Sequence, residues 1–280
     1  FWLKCNILAQ VATAASPTLC ATALRGRLPI DMAVCNAEGE DLPKPLPASW
    51  KLPDLQNMGV TIYQSRISPP CAKVRLLLAY YKVPFITNNG KRPTGEYKKI
   101  PAVDVLSEEG EWQINDSFII VKSLAPILQG RPLSAEEVEL EKFMTFGLMV
   151  AMEKETAGNS SDLRGCALTM GGGVGCALYT MSCCLARVAP DKIGKDAPRM
   201  LGQPLGSLAA YGGMIRDNLG SKDFLCGSEP GVVDLSVFGM LLPFDLAECA
   251  SLTVLLGPSE DPLYRWFARM KEKTADLTIF

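Results

Sequence analysis

At Gly59 the chain changes character. Val60-Thr61-Ile62-Tyr63 is a short β-branched and aromatic strand, and residues 71–82 (CAKVRLLLAYYK) then repeat apolar side chains at helical spacing through Val74, Leu77, Leu78 and Tyr81. Residues 83–87 read as a second strand, 102–106 as a third, 112–114 as a short fourth and 117–128 as a closing helix. The order is β-α-β followed by β-β-α, which restricts this part of the chain to an α/β domain built on one small sheet. Tyr63, Tyr80 and Tyr81 are accounted for by strand alternation and helical spacing, so they are read as packing residues rather than catalytic phenols.

After Arg131-Pro132 the strands vanish. Ser134-Ala135-Glu136-Glu137 supplies a Ser-x-x-Glu capping box, whose hydroxyl and carboxylate satisfy free amides at a helix start, and an all-helical domain begins there. Further helices are predicted near residues 166–188, 199–219, 232–243 and 261–274, separated by Gly, Pro and Asp clusters. The expected organisation is an N-terminal arm and Pro-rich linker (1–57), an α/β domain (58–131) and an all-α domain (132–280).

Two stretches lack charge. Residues 5–24, flanked by Lys4, Arg25 and Arg27, have the look of a targeting or anchoring segment, but Pro17 and modest hydropathy weaken a transmembrane reading. The plainer expectation is an arm that gains order by lying against its own domain or a partner, joined through an extended linker marked by Pro43, Pro45, Pro47 and Pro53. Residues 165–186, bracketed by Arg164 and Arg187, are long enough to span a bilayer. Their Gly and Ser content favours a buried helix of the second domain.

Composition removes whole reaction classes. The 280 residues include no histidine, so Ser-His-Asp and Cys-His hydrolases, His-ligated zinc and His-ligated haem would all need substitutes. What remains is chemistry by Ser, Cys, Tyr, carboxylates or a cofactor. With 28 basic against 30 acidic side chains and no basic run, nucleic acid is excluded as a partner. Ten cysteines, at 5, 20, 35, 71, 166, 176, 183, 184, 226 and 249, form no Cys-x-x-Cys pair, so no metal site is predicted. Most are read as reduced, buried small hydrophobes, which suggests an intracellular or organelle-interior setting.

Three motifs follow one another in the α/β region: Ser68-Pro69-Pro70-Cys71 between strand and helix, Lys98-Lys99-Ile100-Pro101 before the third strand, and Asn115-Asp116-Ser117 opening the closing helix. In this order and at these intervals they resemble the glutathione-binding half of the glutathione transferase superfamily, in which a thioredoxin-like domain precedes an all-helical one. Within it, the phrasing of Tyr97-Lys98-Lys99-Ile100-Pro101 and Gln113-Ile114-Asn115-Asp116-Ser117 is most similar to the membrane-associated prostaglandin E synthase type 2 family. So is Phe224-Leu225-Cys226-Gly227 with Gly231-Val232-Val233-Asp234, which resembles that family's helix-capping motif.

The resemblance implies that Asp116 and Ser117 hold the γ-glutamyl end of glutathione, and that the backbone of Ile100, beside Pro101, meets its cysteinyl part. The physics suits this: helix-end amides and a hydroxyl bind a carboxylate, while the Asp pairs with an ammonium. A plain N-cap is the competing reading of Asp116-Ser117. The departure is at the reactive position. Ser68 stands where the family's nucleophilic Cys stands, so dithiol-disulfide chemistry is lost, and Cys71 survives only at the second, less accessible position. Ser68 retains the ability to donate a hydrogen bond to a bound thiolate.

Two functional expectations stay open. One is a glutathione-binding protein with a degenerate site, acting weakly or not at all on a small electrophile. The other is a non-catalytic accessory subunit of a respiratory or photosynthetic membrane complex, held by its N-terminal arm in a mitochondrion or plastid.

Overall fold

The computed structural model describes residues 46–93, 97, 99–171, 175 and 193–279. A short helix, α1 (Leu52–Gln56), leads into a four-stranded mixed sheet of order β2-β1-β3-β4, made of β1 (Gly59–Gln64), β2 (Ile86–Asn89), β3 (Ala102–Ser107) and β4 (Gly110–Asn115). β1 and β2 run parallel, and the crossover that a parallel pair requires is α2 (Pro69–Tyr80). β1 with β3, and β3 with β4, are antiparallel, and α3 (Ser117–Leu128) closes the unit. This is the expected thioredoxin-like arrangement.

The second half is helical: α4 (Ala135–Phe143), a π-helical turn (Met144–Leu148), α5 (Met149–Gly158), α6 (Ser160–Met170), α7 (Ala197–Leu201), α8 (Leu208–Leu219), α9 (Val232–Leu246), α10 (Ala250–Leu256) and α11 (Pro262–Lys273). The predicted capping box is formed at α4, with Glu137 N bonded to Ser134 Oγ at 3.2 Å and Ser134 N to Glu137 Oε2 at 2.8 Å. Arg131 adds a bidentate pair to the same carboxylate at 2.6 and 2.7 Å, which holds it well below the usual carboxylate range, at about 2. The junction between the two halves is thereby clamped.

One hydrophobic cluster runs through both halves, joining Ile62, Leu76, Leu77 and Val103 to Leu235, Phe238 and Trp266. The seam is α2 against α9. A Cβ on Gly239 would lie 2.6 Å from the Lys73 Cα, a distance only glycine permits, so the two helix backbones touch there.

Several boundaries differ from expectation. Residues 46–57 are more than an extended linker, because α1 sits among them and both Trp50 and Leu55 are buried, with Trp50 edge-on to Trp112 at 4.8 Å. β2 starts at Ile86 rather than at residue 83, since Val83 turns into the core and Pro84 lacks an amide to donate. At the front of the helix expected over 166–188, α6 begins earlier, at Ser160 under an Asn159 cap, and stops at Met170, with Gly171 at φ 63°; most of the rest of that stretch lies outside the described residues. The single helix expected over 199–219 is two, α7 and α8, because Gly202 is left-handed and Ser207 caps a new start. Residues 1–45 of the arm, Lys98, and residues 172–174 and 176–192, which hold most of the second uncharged stretch, lie outside the described residues. Among the described residues no helix is long and apolar enough to cross a membrane.

Candidate functional site

Strand register assembles the candidate residues. Tyr63, near the end of β1, pairs with Ala102 at the start of β3, and Ala102 pairs with Asn115 at the end of β4. The segments leaving β1, entering β3 and leaving β4 therefore emerge at one end of the sheet. Those segments carry Ser68, Ile100-Pro101 and Asp116-Ser117, so the register brings the three motifs to the same end of the sheet.

Ser68 stands at the N-cap of α2 but its hydroxyl makes no cap bond. Its carbonyl accepts from Cys71 N at 3.0 Å and Ala72 N at 2.9 Å, and Pro69 and Pro70 have no amide hydrogen. The Ser68 hydroxyl is thus the donor that this helix start can offer, and it lies against the Cys71 thiol. Arg75 braces the turn from one helical turn further on, donating to the Ser65 and Arg66 carbonyls and to the Gln64 side chain. Burial pushes the Cys71 thiol up, against the downward pull of Ser68, the Ser65 backbone and Arg75. Fully buried and with its pKa raised, the Cys71 thiol is not placed to attack a ligand in the folded protein. Ser68 itself is only 4% exposed.

Ile100-Pro101 is a cis peptide, with Pro101 buried. Asp116 follows β4 with φ 68°, a backbone region that non-glycine residues occupy at a cost of about 1–3 kcal/mol and that recurs at functional sites. Its Oδ1 accepts from Phe118 N at 2.9 Å, so it does cap α3; Ser117, the first residue of the helix, is buried beside it. Burial pushes the Asp116 carboxyl up, while the Phe118 amide, Lys73 and Lys99 pull it down.

Sequence reasoning missed Lys73. Fully buried on α2, its Nζ reaches Glu141 Oε1 at 2.6 Å and Thr145 Oγ1 at 2.7 Å. Thr145 and Ser236 also donate to the same oxygen, at 2.9 and 2.8 Å, so α2, α4, the π-helical turn and α9 share one buried ionic node. Helical spacing places Lys73 one residue from core-facing Val74, and a charged residue there carries no signal of the partner supplied 68 positions later. The tyrosines fit their packing role: Tyr80 and Tyr81 are edge-on at 5.4 Å, and burial pushes the Tyr81 phenol up to about 12. Among the described residues no cluster of three or more Cys, Asp or Glu side chains is arranged to hold a metal ion.

No family model matches the chain. Mouse prostaglandin E synthase 2 is 33% identical over 95 residues, which span 31% of this chain and 24% of that protein, so the chain covers about a quarter of the relative's length. Among solved structures, a glutathione transferase family member from Pseudomonas fluorescens with two glutathione molecules bound is similar at a TM-score of 0.48 and 15% identity, covering 76% of this chain and 88% of that one. A maleylacetoacetate isomerase from Anaeromyxobacter dehalogenans with bound glutathione gives 0.44 and 16%, over 79% and 93%. Over those 95 residues the chain is similar to prostaglandin E synthase 2, whose family its motifs resemble.

Proposed function

We propose that the chain binds glutathione as a member of the glutathione transferase superfamily related to prostaglandin E synthase 2, with a degenerate site that turns over weakly or not at all. The observation that carries this reading is the convergence of Asp116-Ser117, Ile100-Pro101 and Ser68 at one end of the sheet. The γ-glutamyl ammonium pairs with Asp116, and its carboxylate takes the hydroxyl and the amide of Ser117 at the α3 start. The Ile100 backbone meets the cysteinyl unit. The Ser68 hydroxyl then donates to the ligand thiolate, which lowers the thiol's pKa and leaves it directed at any small electrophile alongside. No protein thiol enters the reaction, because Ser68 replaces one and burial silences the other, Cys71.

The second reading, a non-catalytic accessory subunit of a mitochondrial or plastid membrane complex, draws support from the burial of Ser68. Reduced glutathione titrated calorimetrically into the full chain, under reducing conditions, separates the two. Binding that weakens at least tenfold in Ser117→Ala, about 1.4 kcal/mol, supports the first. Absence of heat in both proteins removes glutathione and leaves the accessory role, to be pursued by asking whether deletion of residues 1–45 releases the protein from organelle membranes.

A further inference from the structure

Cys166 on α6 and Cys249, the residue that opens α10, are 83 positions apart, yet their sulfurs approach to 3.7 Å. Both are 2% exposed. The contact is held by the framework on either side of it. A Cβ on Gly165 would lie 2.2 Å from the Ala247 carbonyl oxygen, so α6 runs against the α9–α10 turn at a separation that glycine alone allows. One turn earlier, Asp162 accepts from Ala250 N at 2.9 Å and Ser251 N at 3.1 Å, and the Thr156 and Ser251 hydroxyls pair at 3.0 Å. Asp162 on α6 and Thr156 on α5 thus hold the start of α10 beside the two thiols. A disulfide needs its sulfurs about 2 Å apart, so the two facing thiols must close further from their 3.7 Å contact to bond.

We propose that Cys166 and Cys249 are a modification site: they form a reversible disulfide that latches α10 to α6. The oxidant is a small-molecule disulfide, with glutathione disulfide as the physiological class. One protein thiolate attacks a sulfur of that disulfide and expels one small thiolate, leaving a mixed disulfide; the second protein thiolate then attacks the protein sulfur and expels the other. Two protein thiols are oxidised, one disulfide is reduced to two small thiols, and the two protein protons end on the leaving thiolates. The hydrogen bond to Cys249, together with burial, holds the Cys166 thiol above its ordinary value, so exchange proceeds when the α10 cap opens or while the chain folds. The proposal does not require the chain to bind glutathione.

The full chain is equilibrated with reduced and oxidised glutathione at a series of ratios, both native and during refolding from urea, then blocked with N-ethylmaleimide. Chymotryptic cleavage after Leu163 and Leu168, and after Leu246 and Leu252, isolates each cysteine on its own peptide. A linked pair lighter by two hydrogens than the separate peptides, and abolished by dithiothreitol, is expected in at least one arm. The oxidised protein should melt about 5 °C higher or more, a shift absent from Cys249→Ala and Cys166→Ala. Recovery of both peptides as maleimide adducts at every ratio in both arms overturns the proposal. So does a link from either residue to another cysteine, or a glutathione adduct that never resolves to the pair. The peptide map on the unmodified chain stands even if both variants fail to fold.

Discussion

Asp234 and Asp116 are both buried aspartates at the start of a long helix, and they are opposites. The Asp234 carboxylate receives Leu225 N at 2.6 Å, Cys226 N at 3.0 Å, Gly231 N at 3.1 Å and Trp266 Nε1 at 2.8 Å, filling the roughly four sites a carboxylate offers. Asp116 caps α3 through Phe118 N at 2.9 Å, on a positive-φ backbone, and burial raises its carboxyl against the pull of the Phe118 amide, Lys73, Lys99 and the Ile119 amide. One carboxylate has its hydrogen-bonding capacity spent inside the chain and is structural. The other caps α3 from a positive-φ backbone at the end of the sheet where the three motifs lie, and under the proposed function it is the carboxylate that meets the ligand.

The largest break in that comparison is Asp234→Ala. It strands three backbone amides and the Trp266 indole in a dry environment, and a cost of roughly 4–5 kcal/mol is expected in urea unfolding, with glutathione affinity unchanged in whatever fraction folds. Asp234→Asn, which keeps one acceptor oxygen, should lose about half as much. Equal losses in the two variants would show that the four bonds do not carry the anchorage of α9.

Lys73→Met comes next, because Lys73 serves both kinds of carboxylate. Glu141 keeps Thr145 and Ser236 as donors, so the cost belongs at the lower end of the range for a broken buried pair, about 3 kcal/mol. The double variant Lys73→Met with Glu141→Leu should regain most of it, since the pair's stabilisation is largely offset by its desolvation. The single variant should also leave the Asp116 carboxyl further above its ordinary value, since Lys73 is one of the groups that pull it down. A double variant no more stable than the single would rule out the stranded Glu141 charge as the cause.

How much of this was legible follows from what each residue depends on. The strand and helix order of residues 59–128 was readable because it rests on local periodicity, and Ser68, Pro101 and Asp116 were singled out by a family resemblance whose motifs stand at fixed offsets from those elements. The Asp234 cap was visible as a motif for the same reason, though its Trp266 partner, 32 positions on, was not. The Lys73–Glu141 node and the Cys166–Cys249 contact join positions 68 and 83 apart, and no local pattern encodes either. Trp50 and Leu55 were misread as linker because their burial is decided by a sheet that lies beyond them in sequence. The split of α7 from α8 turned on Gly202, one residue whose left-handed conformation outweighed the helical pattern around it.

The smallest effect on stability, and the sharpest on function, is expected from Asp116→Asn. Asn caps helices about as well as Asp, so the α3 start should persist. The folded Asp116 carboxyl lies above its ordinary value of 3.8, so between those two values the folded state keeps a proton that the unfolded state has already released. Stability therefore falls as pH rises through that window, and the penalty for the buried charge is present in full above it. Asn carries no such penalty. The variant should be more stable than the parent at neutral pH, with the difference shrinking as pH is lowered and gone below about 3.8. Glutathione affinity should drop at least tenfold, because the neutral amide no longer pairs with the ligand ammonium. A residue whose removal strengthens the fold and weakens binding is one kept for its ligand. If the variant instead loses stability at neutral pH and binds as before, Asp116 is a cap like any other and the contrast with Asp234 collapses.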